Sequence, residues 1–178
     1  QAADAQALQS QLGYQAAAAD QAATIRSAEL SVQAAQIDRD TQVNQAQISY
    51  QSSLADLTKT KSQSEQAVIQ ARVARDHAQQ DYARSQKLAA AGFVAQRDLE
   101  ASKAALDTAE SAFQAATAAQ TADVKAAELR AAGARDALAA MKSLGAKKVS
   151  LAEAALSQAR AAQANVAAKR QEIAANQS

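Results

Sequence analysis

The chain has 178 residues with no Pro, no Cys, no Trp, four Gly and 3% aromatics, which removes most of the residues that break helices or build sheets. Its 48% hydrophobic content is mostly alanine: 13 Leu, 5 Ile, 8 Val and 2 Phe are too few for a thick core, so long helices touching along narrow seams are expected. With 19 basic against 18 acidic residues and no dense run of either sign, binding to nucleic acid or to an anionic membrane by bulk charge is disfavoured.

At the N-terminus there is neither the basic start nor the apolar run of a signal peptide, which leaves a cytosolic chain or a piece excised from a longer one; the second is the expectation. No apolar stretch approaches the ~20 residues needed to cross a bilayer. The glycines, Gly13, Gly92, Gly133 and Gly145, are the main punctuation. Ahead of Gly92, Leu54, Val68 and Tyr82 recur at multiples of seven, and Val43, Tyr50 and Leu57 form a second series at that spacing. Both predict a heptad seam on a first helical arm, residues 1–90, which polar Lys61 and Arg75 interrupt. Tyr14, Tyr50 and Tyr82 are expected to fill seam positions in place of leucines.

The stretch from Leu88 to Gln96 is the expected turn, with the tip at 91–95. Arg84 and Lys87 fall in the last turn before it, Gly92 can adopt the left-handed conformation that ends a helix, and Asp98 and Glu100 fall in the first turn after it. Phe93 and Val94 place large apolar side chains at the end of a narrow rod, where they either meet a partner or, in the case of Phe93, fold back on Leu88 and Leu99 to plug the seam; both can hold at once.

The second arm, 96–178, carries Leu99, Leu106 and Phe113 at steps of seven. Val124 restarts the series eleven residues later, followed by Ala131, Leu138 and Gly145, with Ala127, Ala134 and Met141 alongside. The four-residue offset predicts a stutter, which unwinds a supercoil locally without ending it. Equal arms, each about 125 to 135 Å long if continuous at ~1.5 Å per residue, argue for one antiparallel two-helix coiled-coil hairpin. Two readings stand at Gly145. The glycine ends one helix and Ser150 with Glu153 caps the next, leaving 1–40 packed on 150–178, or the helix runs through at a cost of ~1 kcal/mol. Counted outward from the turn, Gly145 faces the region of Thr41.

Catalysis has little to work with: His77 is the one histidine, cysteine is absent, and the carboxylates are scattered among Lys and Arg. An enzyme, a cofactor and a metal are therefore not expected. His77 reads as an exposed or seam-edge residue, and Lys147 with Lys148 as a solvated pair.

The segment Tyr82-Ala-Arg84-Ser-Gln-Lys-Leu88-Ala-Ala-Ala-Gly92-Phe93-Val94-Ala95-Gln-Arg-Asp98-Leu99-Glu100 resembles the hairpin tip of hemolysin-D-like periplasmic adaptors, or membrane fusion proteins. Members carry an arginine, a leucine four residues on, and a serine seven beyond that, then an acidic residue and an alanine-rich return helix. Arg84 and Leu88 match, whereas Ala95 stands where the family has its serine. The stretch from Leu144-Gly145 to Ala162 is similar to the return helix of the long-hairpin drug-efflux branch. The resemblance implies a non-enzymatic adaptor in the periplasm, tethered to the inner membrane, trimeric or hexameric and joined to an inner-membrane transporter. Its tip, with Arg84, Leu88, Gly92, Phe93, Val94 and Ala95, would meet an outer-membrane channel of the TolC type. Lipoyl, β-barrel and membrane-proximal domains would lie outside this chain. Composition alone also admits a late-embryogenesis-like desiccation protectant, disordered until dried, and an apolipoprotein-type lipid binder, although the centred turn and the narrow apolar faces speak against them.

Overall fold

The computed structural model describes residues 2–176, with the side chains from Leu8 onward apart from Ile173 and Asn176. It contains two helices, α1 over Ala2–Ala90 and α2 over Gln96–Asn176. The expected arms match these bounds, with residues 1, 177 and 178 outside the described residues. Long helices form because alanine and straight-chain residues lose little on entering them. The hydroxyls that could compete instead bond back to carbonyls one turn earlier: Thr24 donates to Asp20 O at 2.8 Å and Thr58 to Leu54 O at 3.0 Å. No described helix is long and apolar enough to cross a membrane.

Contacts divide the chain into two units, Gln1–Gln47 with Ala137–Ser178 and Ile48–Asp136. In each, a stretch of α1 packs antiparallel on a stretch of α2.

In the unit Ile48–Asp136, Lys61 pairs with Glu128 at 3.0 Å and Arg75 with Glu110 at 3.9 Å, so later residues of α1 meet earlier residues of α2. Leu57, Val68, Tyr50 and Tyr82 are half-buried as expected, but Leu54 is 39% exposed, and the seam passes through Ser53 and Leu57 instead. On α2, Leu99, Leu106 and Phe113 lie in the seam and the step from Gln120 to Val124 is the four-residue stutter. Ser64 to Val68 makes the same step on α1. The two supposed interruptions of the seam behave differently. Lys61 is exposed and forms its ion pair at the edge, whereas half-buried Arg75 lies over the Phe113 ring at 4.5 Å from its centroid and forks onto Asp76 at 2.7 Å. Hydrogen bonding to Asp76 raises the affinity of that guanidinium for its proton, which remains bound throughout the accessible range. Ala127 and Ala131 are the buried residues here. His77 is exposed.

In the other unit, Lys148 donates to Asp38 Oδ2 at 2.9 Å and Arg160 to Glu29 at 3.0 Å. Tyr14 is half-buried with Arg170 over its ring at 5.6 Å, and Lys147 is solvated. Leu138, Val149 and Ala159 are buried. The break that one reading put at Gly145 is absent: α2 continues through it without interruption, and Ser150 caps no helix start. The physical reason for the glycine lies across the seam. Met141, Gly145 and Val149 form a second stutter, which points the middle residue straight at α1. A Cβ built on Gly145 would collide with Cγ of Arg39 and lie 3.0 Å from its Cβ and 3.4 Å from its Cα. The glycine thus permits close approach of two backbones rather than ending a helix.

Gly145→Val should destabilise the chain by about 1–3 kcal/mol, because Cβ and Cα of Arg39 cannot rotate away. Gly13→Ala, where an added Cβ meets nothing within 4 Å, should stabilise by up to ~1 kcal/mol. Urea melts followed by circular dichroism measure both, and a valine as stable as the parent would refute the close approach. The hydrogen bond from Lys148 holds the Asp38 carboxyl below its ordinary range, against the opposing effect of desolvation. A folded-state value that is depressed adds stability above the ordinary carboxylate range, and this is lost as pH falls through the depressed value. Lys148→Met should therefore move the Asp38 carboxyl resonance to titrate at higher pH, while a titration unmoved by the substitution would show that the pair does not persist in solution.

Candidate functional site

The end of the unit Ile48–Asp136, where α1 turns into α2, is built by backbone chemistry. An α-helix leaves its last carbonyls without partners. Here Phe93 N–H donates to Leu88 O at 2.9 Å and Gly92 N–H to Ala89 O at 3.0 Å, the paired bonds of a Schellman motif, with Ala91 N–H on Lys87 O at 3.2 Å. The motif needs a left-handed residue at its corner, and Gly92 supplies it with φ of 76°. Helix α2 then starts from Ala95, whose carbonyl accepts from Asp98 N–H at 3.0 Å and Leu99 N–H at 3.3 Å. Its methyl cannot reach back to the free N–H groups of the first turn, so no side chain of residue 95 caps this helix. Asp98 lies in the first turn of α2 and Lys87 in the last turn of α1, each suited to its helix dipole.

The expected tip residues take distinct places in this frame. Phe93 is 80% exposed and so does not plug the seam; half-buried Val94 and Leu99 lie nearer to it. Leu88 is 40% exposed, and its carbonyl binds the Phe93 amide, so the two are joined through the backbone. Arg84 lies one turn further from the end than the last turn where the sequence reading put it, on the same side of α1 as Leu88 four residues on. Its side chain is 72% exposed, with the guanidinium 3.5 Å from Asp81 in an i,i+3 pair. Such a pair is loose and water-screened, which leaves the guanidinium free to exchange partners. Gln96 donates to Glu100 at 3.2 Å, so Glu100 belongs to the second turn of α2.

Asp81 was the residue sequence reasoning passed over; its spacing of three from Arg84 could have revealed it. Among the described residues no cluster of His, Cys, Asp and Glu could hold a metal ion. The site offers an exposed aromatic, a partly exposed leucine and an available guanidinium on a rigid, hydrogen-bonded turn. Such a surface can make apolar contact and donate charged hydrogen bonds.

Restoring a capping hydroxyl tests the helix start directly: Ala95→Ser should stabilise the chain by about 1 kcal/mol in urea melts, and no gain would mean that another group already satisfies those amides. Compared with known protein families, characterised proteins and solved structures, the chain matches none.

Proposed function

We propose that this chain is the hairpin of a periplasmic adaptor that joins an inner-membrane transporter to an outer-membrane channel of the TolC type, its tip docking on the channel's helical end. The observation that carries the reading is the Schellman turn, which holds Phe93 80% exposed at the junction of two long helices. A large aromatic left in water on a rigid support is suited to a partner's pocket, where its burial contributes affinity at little entropic cost. Beside it, Leu88 and Val94 fill grooves between the partner's helices. Arg84 leaves Asp81 to hydrogen-bond polar groups or carbonyls at the partner's helix ends. The tip residues named by the resemblance thereby have a division of labour: Gly92 and Ala95 shape the turn, Phe93, Leu88 and Val94 supply apolar contact, and Arg84 supplies direction.

In this reading the protein performs no chemical step. It provides length and fit, and the parts that reach the inner membrane lie outside this chain.

The test uses the full-length protein in its native host. A photoreactive phenylalanine at position 93 should give an adduct with an outer-membrane channel. Arg84→Asp should weaken docking by about 2 kcal/mol or more, the scale of an interfacial anchor, and lower export while the helix content of the chain is unchanged. Adducts only with periplasmic or inner-membrane proteins, together with undiminished export by the Arg84 variant, would remove the reading.

A further inference from the structure

The seam of the unit Ile48–Asp136 contains one layer unlike its neighbours. Arg75 lies in it with 25% of its side chain exposed, and its guanidinium stands 4.5 Å from the centroid of the Phe113 ring. Arg72 stands over the same ring at 6.0 Å, and Glu110 lies 3.9 Å from Arg75 Nε. On either side of this layer the seam is made of small residues: Ala71 and Ala78 of α1, Ala109 and Ala116 of α2, all half-buried. A charge drawn into an apolar seam loses hydration, and replacing it by a hydrophobic residue of similar volume is often neutral or stabilising. Stability is therefore a poor reason for an arginine at this position.

What the alanine layers lack is any means of telling one alignment from another. Counted from the level of Arg75 and Phe113, Ala78 falls opposite Ala109 and Ala71 opposite Ala116. Sliding α1 by one heptad along α2 sets Ala78 on Ala116 or on Ser102, so small residues still meet small ones. The charged layer does discriminate. One slide replaces Phe113 by Leu106 and Glu110 by Lys103 beside Arg75; the opposite slide replaces them by Gln120 and Thr117. Lys61, paired with Glu128 at 3.0 Å, would meet Thr121 in the first and Arg135 in the second. Each slide thus loses the ring under the guanidinium and brings two cations to one level.

We infer that Arg75 is a positioning residue: its layer fixes the register of α1 against α2 and, through the register, the place of the turn. Both arms belong to one chain, so a slide of one heptad moves the turn by half a heptad. Phe93 would then lie inside a helix, and Gly92, whose φ of 76° makes the corner, would leave it. Gly92 and the Arg75 layer thus favour the same register from two places, ~27 Å apart along the helix at ~1.5 Å per residue. The glycine acts through the backbone, where a residue with a side chain is strained at positive φ. The layer acts across the seam, in the registry role best attested for a polar group in an apolar interface.

The inference does not rest on what the tip binds and holds if the tip has another use. Its test uses the purified chain, which has no cysteine of its own, so introduced disulfides report the register directly. Ala78→Cys with Ala109→Cys marks the observed alignment. Ala78→Cys with Ala116→Cys, or with Ser102→Cys, marks the two slides, which bring together Cα atoms otherwise offset along the axis by ~10 Å. Each pair is oxidised in dilute solution, and the bond within one chain is read by mass spectrometry of a non-reduced digest. With the glycine's preference removed by Gly92→Ala, the first pair should still close about tenfold faster than the others or more. Adding Arg75→Leu should cut that ratio by about tenfold or more, with helix content unchanged in circular dichroism and no fall in the urea midpoint. Slipped disulfides in the Gly92→Ala chain that keeps Arg75 would overturn the inference, since the turn alone would then set the register. An unchanged ratio on adding Arg75→Leu would also overturn it, and a lower urea midpoint would make the layer a stabilising contact instead.

Discussion

How closely two helices approach controls everything else in a chain of this composition. Alanine contributes one methyl per seam position, and its dispersion contacts fall off steeply once a gap of half an ångström opens. Burial can therefore stabilise the pairing only where backbones come together. Among the described residues the five buried apolar ones are Ala127, Ala131, Leu138, Val149 and Ala159, so three of the five are alanine. Gly145 carries the same principle to its limit, since even a methyl would strike Arg39. The ion pairs along the edges, with partners a quarter to three-fifths exposed, set register more than stability.

This constraint explains which features were legible in the sequence. Helix type, the two arms and the turn could be read because they depend on local chemistry: helix-forming residues throughout, and one central glycine between a basic and an acidic end. The first stutter was legible for the same reason, as Phe113 and Val124 are large enough to mark the eleven-residue step. Other features depend on what lies across the seam, where a single sequence is silent. Leu54 looked like a seam residue from its size and spacing, yet serine at position 53 takes that place because small residues allow the approach. Gly145 admitted either a break or an unbroken helix, and only the position of Arg39 shows it as a contact. At the tip, the residues could be named, but the exposure of Phe93 could not be read from their order. It follows from the Schellman bonds, which direct residue 93 away from the seam while Val94 turns toward it.

A narrow seam also has a consequence outside it. Among the described residues, thirteen large apolar side chains remain exposed, more than twice the number that are buried. An alanine-rich pair of helices has no room for them inside, since each would hold the backbones apart. Their placement on outward faces is thus the other side of close packing, and isolated instances would need no explanation. The exposed Gly133 weakens the helix that contains it, and a Cβ there would meet nothing within 4 Å.

The turn and the outward faces draw on separate physical causes. Backbone hydrogen bonds and one positive φ fix the turn, and they would hold Phe93 outward whatever residues occupied the helix flanks. Side-chain size and helical period set the flanks, and these are indifferent to how the chain reverses. A protein built this way can present an apolar tip and a lateral surface that are altered independently: changing Phe93 leaves the row from Ile69 to Val73 in place, and filling the space at Gly133 leaves the turn intact. Such independence has a cost. With so little buried between the helices, each packed residue of the seam carries a large share of what holds them together.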